Sequence, residues 1–326
     1  MLRIFRTNQL LFGIVLIFYG AILHFSIWLY PIELTSARYG ILGQWINQLG
    51  ATHYYWLQGA ALLLLFLQGF ALNFLVAEHR LSTEVNLFPG LVYLLLTSAI
   101  PEFLAISPLH FANVFLLIAL WQLMSIYKVP SCADRIFNIG FWISVASLFY
   151  FSYGIFLILG LVGLNIMRAF SLQERLQMIL GFATPYLLCG LYFFWTDRWG
   201  DFIQYQFVSS FGLLSFRLTS QLSANFAIAL FSIILIIVLL SSNSYLYKTQ
   251  IQVQKKISLL FWTLLIGSSS LLIQGSIGLE HLLIMALPLS ILLSINLTKL
   301  SPRIADTVHI VLWVGVLFYQ LKDLIF

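Results

Sequence analysis

Apolar stretches of about 20 residues recur along the whole chain, and the charges fall between them rather than inside them. A helix rises ~1.5 Å per residue, so each stretch is long enough to cross the ~30 Å hydrocarbon core of a bilayer. Hydrophobic residues make up 61% of the 326 and charged residues 8%, where a soluble domain carries about 25% charged residues. Most of the surface must therefore face lipid. The longest polar-tending stretches, 31–53, 196–222 and 242–256, leave no room for a separate soluble domain. The expected fold is one all-α, polytopic transmembrane domain over residues 1–326. About eleven spans are expected, near 9–30, 54–77, 85–100, 109–126, 136–150, 152–167, 176–195, 223–241, 257–275, 281–298 and 307–321. Spans five and six are short. The charge-free Tyr150–Gly154 between them reads as a re-entrant pair or a tight hairpin near the outer face.

The sixteen basic residues orient these spans. With the N-terminus inside, Arg3, Arg6, Arg80, Lys128, Arg135, Arg168, Arg175, Lys248, Lys255, Lys256, Lys299 and Arg303 fall on the inner side. Only Arg38, Arg198, Arg217 and Lys322 fall outside. Insertion favours Lys and Arg in cytoplasmic loops, so the N-terminus is expected in the cytoplasm. An eleven-span count then puts the C-terminus outside. The net charge of +5 is explained by this bias, and no nucleic-acid partner is expected. The lysines of 248–256 set topology and suit contact with anionic lipid. Arg3 and Arg6 before an apolar run resemble a signal peptide. That run, Leu10 to Tyr30, is longer than a typical signal core and lacks a small-x-small cleavage site, so it reads as an uncleaved first span. Cys132 in an inner loop and Cys189 within a span favour neither a disulfide nor a metal site.

In the first outer loop, Leu34, Ala37, Ile41, Leu42, Trp45, Ile46 and Leu49 recur at steps of three and four. Thr35, Arg38, Gln44, Asn47 and Gln48 take the other side. This is the pattern of an amphipathic helix lying along the outer interface with Trp45 at headgroup depth. His53–Trp56 and Trp195–Trp199 have the composition of interfacial aromatic belts.

No Asp, Glu, Lys or Arg falls near the middle of a span, where ion-coupled carriers place them. Neutral Gln68, Asn73, Asn113, Asn138, Asn165, Gln274 and Asn296 suit hydrogen bonding between helices. The outer face collects Glu33, Glu102, Asp197, Asp201 and Glu280, with His53, His110 and His281 nearby and Asp323 at the tail. A carboxylate there is the residue type needed to deprotonate a hydroxyl or amide. Each of these residues also has an ordinary role as a solvated loop charge. Glu33 is the best constrained, between the first span and the amphipathic helix. Its alternative role is to cap that helix. His110 and Asn113 share a helix face. No His, Cys or Asp spacing has the form of a metal motif.

The order of these parts resembles the GT-C class of membrane glycosyltransferases. One span is followed by an outer loop with an acid and an interfacial helix (Glu33 to Leu49). The stretch Leu91–Pro108 running into Asn113 is similar to an apolar span, Pro, small turn and acid-headed span. Phe137–Tyr150 resembles the class's short-helix segment, with a basic turn (Arg168 to Arg175) after it. Glu280–Pro288 resembles its loop-to-span segment. The chain departs from the class at three points. It has a lone Glu33 where an Asp or an Asp–Glu pair is usual, Asn113 where many members carry Asp, and no Arg before His281. The chain also resembles an uncharacterised multi-pass inner-membrane family of Bacteroidota, which implies a bacterial inner-membrane location.

The GT-C resemblance implies transfer of a sugar from a polyprenyl-phosphate carrier on the outer face, with Glu33 as catalytic base. Glu102, His110, Asn113, Glu280 and His281 would line the site. Asp197, Arg198, Asp201 and Arg217 would hold the acceptor or a phosphoryl headgroup. Membrane lipids are expected partners, and no cofactor is indicated. Two other readings stand beside it: a non-enzymatic subunit or scaffold of an envelope assembly with a protein partner, and a transporter of lipid or a neutral solute.

Overall fold

The structure is a computed structural model and describes residues 2–6, 10–29, 39–210, 222–247, 249–270 and 279–320. The helices run in order α1 (Leu2–Phe5), α2 (Leu10–Leu23), α3 (Ser26–Leu29), α4 (Ile41–Thr52), α5 (Tyr54–Glu78), α6 (Phe88–Thr97), α7 (Pro101–Leu104), α8 (Pro108–Ser125) and α9 (Ala133–Phe149). They continue as α10 (Phe156–Met167), α11 (Leu172–Trp195), α12 (Trp199–Ile203), α13 (Leu222–Leu240), α14 (Ser242–Leu246), α15 (Ile251–Ser269), α16 (Ala286–Lys299) and α17 (Pro302–Gln320). Tight helical turns at Phe151–Ile155 and Leu279–Met285 lead into α10 and α16, and a wide turn at Gln204–Val208 follows α12. Among the described residues there is no strand.

The protein is all-α, with several helices fit to span a membrane. Tyr54–Glu78, Pro108–Ser125, Leu172–Trp195, His281–Lys299 and Pro302–Gln320 are long and apolar enough. Phe12–Leu23, Phe88–Thr97, Phe151–Met167 and Ile228–Leu240 are shorter apolar helices. The outer helices present bare apolar faces: Leu187, Leu188, Leu191, Tyr192 and Phe194 on α11 are all exposed, and Trp195 is 90% exposed. Water would not tolerate a face of this size on a monomer, whereas lipid covers it without cost.

Helices that are apolar all round belong at the centre of a bundle. Every residue of α6 is buried, and α16 is nearly so. These two pack on each other, with α5 against α6 and α13 against α16. Around them, α9 packs between α8 and α11. The α9–α11 crossing is unusually close: a Cβ added at Gly140 would stand 2.0 Å from the Met178 carbonyl oxygen, and one at Gly181 would stand 2.1 Å from that of Phe137. Helices in lipid associate through such small-residue contacts, because no hydrophobic effect drives them together there.

The turn between α9 and α10 is buried at Tyr150, Ser152 and Tyr153. It lies under the N-terminus of α4, whose Gly40 N–H donates to the Phe149 carbonyl at 3.0 Å. That burial is the physical reason the segment carries no charge. The described part of the stretch 196–222, through Ser210, folds as α12 and the wide turn, and buries Phe202 and Gln206.

Candidate functional site

Three of the residues singled out by sequence come together, but in the interior. Ser107 and Pro108 start α8: the Ser107 hydroxyl accepts from Leu109 N–H at 3.2 Å, and Pro108 fills a position that needs no donor. His110 completes this cap. Its Nδ1 accepts the Ser107 N–H at 3.2 Å, which leaves Nε2 to donate to the Phe103 carbonyl at 3.2 Å. Both ring nitrogens are thus committed to backbone. Asn113, one turn on, accepts from the Tyr153 hydroxyl at 2.7 Å and donates to the Leu283 carbonyl at 3.2 Å. It thereby joins α8 to both tight turns.

His281 sits between Tyr150, whose hydroxyl is 2.9 Å from Nδ1, and Ser270, whose Oγ is 2.9 Å from Nε2. The order Ser–His–Tyr has the outline of a nucleophile, its base and an orienting group. The proton arrangement argues against that use. Ser270 donates its proton to the Gly267 carbonyl at 2.5 Å, so it must accept from Nε2–H. Nδ1 then accepts from Tyr150. The base nitrogen faces tyrosine, not serine. Gln68 extends the network, donating to the His110 carbonyl at 2.7 Å and accepting from the Tyr93 hydroxyl. Gln68, Tyr93, His110, Asn113, Tyr150, Tyr153, Ser270 and His281 are all at most 2% exposed. A network so fully satisfied specifies one packing of α5, α6, α8, α15 and the two turns.

Of the other candidates, the described Asp197, Arg198 and Asp201 stand apart from it. Asp197 takes a left-handed conformation (φ 54°) just past the end of α11. Arg198 Nε donates to Asp201 at 2.8 Å, with side chains 58% and 43% exposed. Such a surface pair contributes about 0–1 kcal/mol, weak enough for a phosphate to compete with Asp201 for Arg198. Glu33 and Arg217 lie outside the described residues. Glu102 and Glu280 fall in α7 and in the Leu279–Met285 turn, with side chains outside the described set.

Sequence reading missed the tyrosines that hold the network, and it missed Gln206. The Gln206 carboxamide accepts the Ile41 N–H at 3.0 Å and donates to the Ser147 carbonyl at 2.9 Å, pinning α4 to α9. It also passed over two histidines inside apolar segments. His24 is 1% exposed, and His309, also 1% exposed, lies 3.1 Å from the Tyr19 hydroxyl. A titratable residue within an apolar run was the signal available for both.

A second polar centre lies where α5 ends. His79 Nδ1 is 3.0 Å from Lys256 Nζ, and both residues are buried. Burial and the adjacent ammonium push the imidazole down to about 4, against a weaker upward pull from the Trp121 carbonyl. Burial also lowers Lys256, with Glu78 opposing it. His79 is thus a neutral acceptor for the ammonium. Its folded pKa lies below the unfolded value of about 6.5, so its contribution to stability is complete above that pH. It is lost progressively as pH falls from about 6.5 towards 4. Thermal unfolding of detergent-solubilised protein between pH 4 and 8 should show the midpoint falling in that window. His79→Gln, which keeps an acceptor without titrating, should flatten the fall; an unchanged slope would remove His79 as its cause.

No family model matches the chain, and no curated protein or solved structure is significantly similar to it.

Proposed function

We propose that this chain is a bacterial inner-membrane protein of about eleven spans, with a cytoplasmic N-terminus and GT-C-like architecture. It transfers a sugar from a polyprenyl-phosphate carrier on the outer face. Glu33 deprotonates the acceptor, Glu102 and Glu280 line the site, and Arg198 and Arg217 attract the phosphoryl group. His110, Asn113 and His281 form its rigid floor instead of touching substrate.

The observation that supports this reading is the mounting of the loop that carries Glu33. On one side, Ser26 donates to Gln320 at 3.2 Å, and Ile27 is buried. On the other, buried Tyr39 packs on Tyr150, and Gly40 and Ile41 are tied to Phe149 and Gln206. A catalytic base needs a fixed support, and this support touches the same tyrosine that holds His281. Exposed Trp45 and Leu49 on α4 suit an interfacial helix.

A gene deletion complemented with wild type or with Glu33→Gln tests the proposal. Wild type should restore a missing envelope glycan, while Glu33→Gln should lose about 10²–10⁴-fold in transfer rate, the range of general-base catalysis. Full complementation by Glu33→Gln would overturn it.

One observation favours a second reading, a non-catalytic component of an envelope assembly. All three interior candidates are spent on internal hydrogen bonds and closed to solvent. An unchanged glycan profile on deletion, together with a partner that copurifies at fixed stoichiometry, would establish it.

A further inference from the structure

We propose that the turn after α8 and the second turn of α15 form a binding site for the phosphate of an anionic phospholipid, held by Lys128 and Lys255 over the ring of Tyr127.

Arg135 and Arg168, at the same end of the bundle, are spent on the protein. Arg135 donates to the Ser125 carbonyl at 3.2 Å. Arg168 donates to the Ile126 and Val129 carbonyls and pairs with Glu174 at 2.7 Å. Lys128 and Lys255 are different. They come from separate elements and converge on one aromatic ring, with Nζ 5.6 Å and 5.0 Å from its centroid. Among the described residues neither has a carboxylate within ion-pair distance.

The site is also built rather than incidental. Lys256, next to Lys255, is buried and fixed on His79, so this turn of α15 is anchored while Lys255 stays half-exposed. Lys128 holds a left-handed backbone (φ 58°), a conformation that non-glycine residues adopt only where the surroundings fix it. Glu78, the acid that acts on Lys256, is exposed at the end of α5 and pairs with neither lysine. Two ammonium groups with three donors each, beside an amphipathic ring at a span end, match a phosphate at headgroup depth. A lipid is favoured over free phosphate because α8 continues from this site into the bilayer, where acyl chains keep the anion local.

The test uses the full-length protein in an uncharged detergent. Native mass spectrometry would follow titration with phosphatidylglycerol, phosphatidylcholine and inorganic phosphate. Phosphatidylglycerol should bind and phosphatidylcholine should not. Lys128→Gln with Lys255→Gln should weaken binding about thirty-fold, at about fivefold per cation. Arg175→Gln with Arg303→Gln, an equal charge loss elsewhere, should change it less than about twofold. Equal losses in the two pairs would overturn the site in favour of general attraction. Displacement of the lipid by inorganic phosphate at equal concentration would overturn the lipid as ligand. Should the double variant fail to fold, Lys255→Arg should retain binding and Lys255→Met should lose about fivefold; equal affinity in these two would overturn the proposal.

Discussion

Gly181→Val is expected to prevent assembly of the bundle, and Gly140→Val to do the same. At both positions the added carbon meets a backbone carbonyl oxygen of the facing helix, at 2.1 Å for Gly181 and 2.0 Å for Gly140. A carbonyl inside a helix cannot swing aside as a side chain can. The two helices would have to separate by about 1 Å, forfeiting a large part of the dispersion energy along the crossing. Even alanine should cost about 3 kcal/mol, the upper end of ordinary overpacking. Gly315 on α17 is the control, because nothing lies within 4 Å of an added Cβ there. Gly315→Ala should be neutral or mildly stabilising through helix propensity. Yield of monodisperse protein and its thermal midpoint in detergent decide the matter. Wild-type midpoints for Gly140→Ala and Gly181→Ala would mean that the crossing is looser than described.

The second large effect is expected from a substitution that changes almost no volume. Asn113→Asp preserves shape and the bond from Tyr153, but it replaces the amide that donates to the Leu283 carbonyl. A carboxylate there faces a carbonyl oxygen with no proton between them, in a site 1% exposed. The loss should be about 3 kcal/mol at neutral pH, as for an uncompensated buried charge. It should shrink as pH falls and the acid takes up the proton that restores the bond. A midpoint equal to wild type at pH 7 would show that Leu283 is not the partner.

The class of the molecule was legible because it depends on composition and period alone. Long apolar runs with charges only between them fold as helices whether or not their neighbours are known. Spans were accordingly expected near 54–77, 109–126 and 176–195, and helices occur at Tyr54–Glu78, Pro108–Ser125 and Leu172–Trp195. Amphipathicity across 34–49 was also readable, and α4 occupies its described part from Ile41. The candidate site was less legible. His110, Asn113 and His281 were singled out as polar residues at span ends, and the structure buries all three. Their grouping with the outer acids followed from shared depth in the sequence pattern, which says nothing about rotation around a helix axis or about which helix stands next. Tyr93, Tyr150 and Tyr153 drew no notice, because a tyrosine in an apolar run looks the same whether its hydroxyl meets lipid headgroups or an asparagine.

The sequence by itself determined that this is an all-α chain with several membrane-spanning helices, since hydropathy and helical rise are local properties of the residues. Only the tertiary structure decided that α6 and α16 form the centre and that α9 and α11 touch backbone to backbone. It alone decided that His110, Asn113 and His281 are spent on internal hydrogen bonds, and that Lys128 and Lys255 meet over one ring. Each of these is a pairing between residues far apart in the chain. Such pairings depend on which faces of which helices meet, and that is settled by packing shape and by the need to satisfy every buried polar group at once.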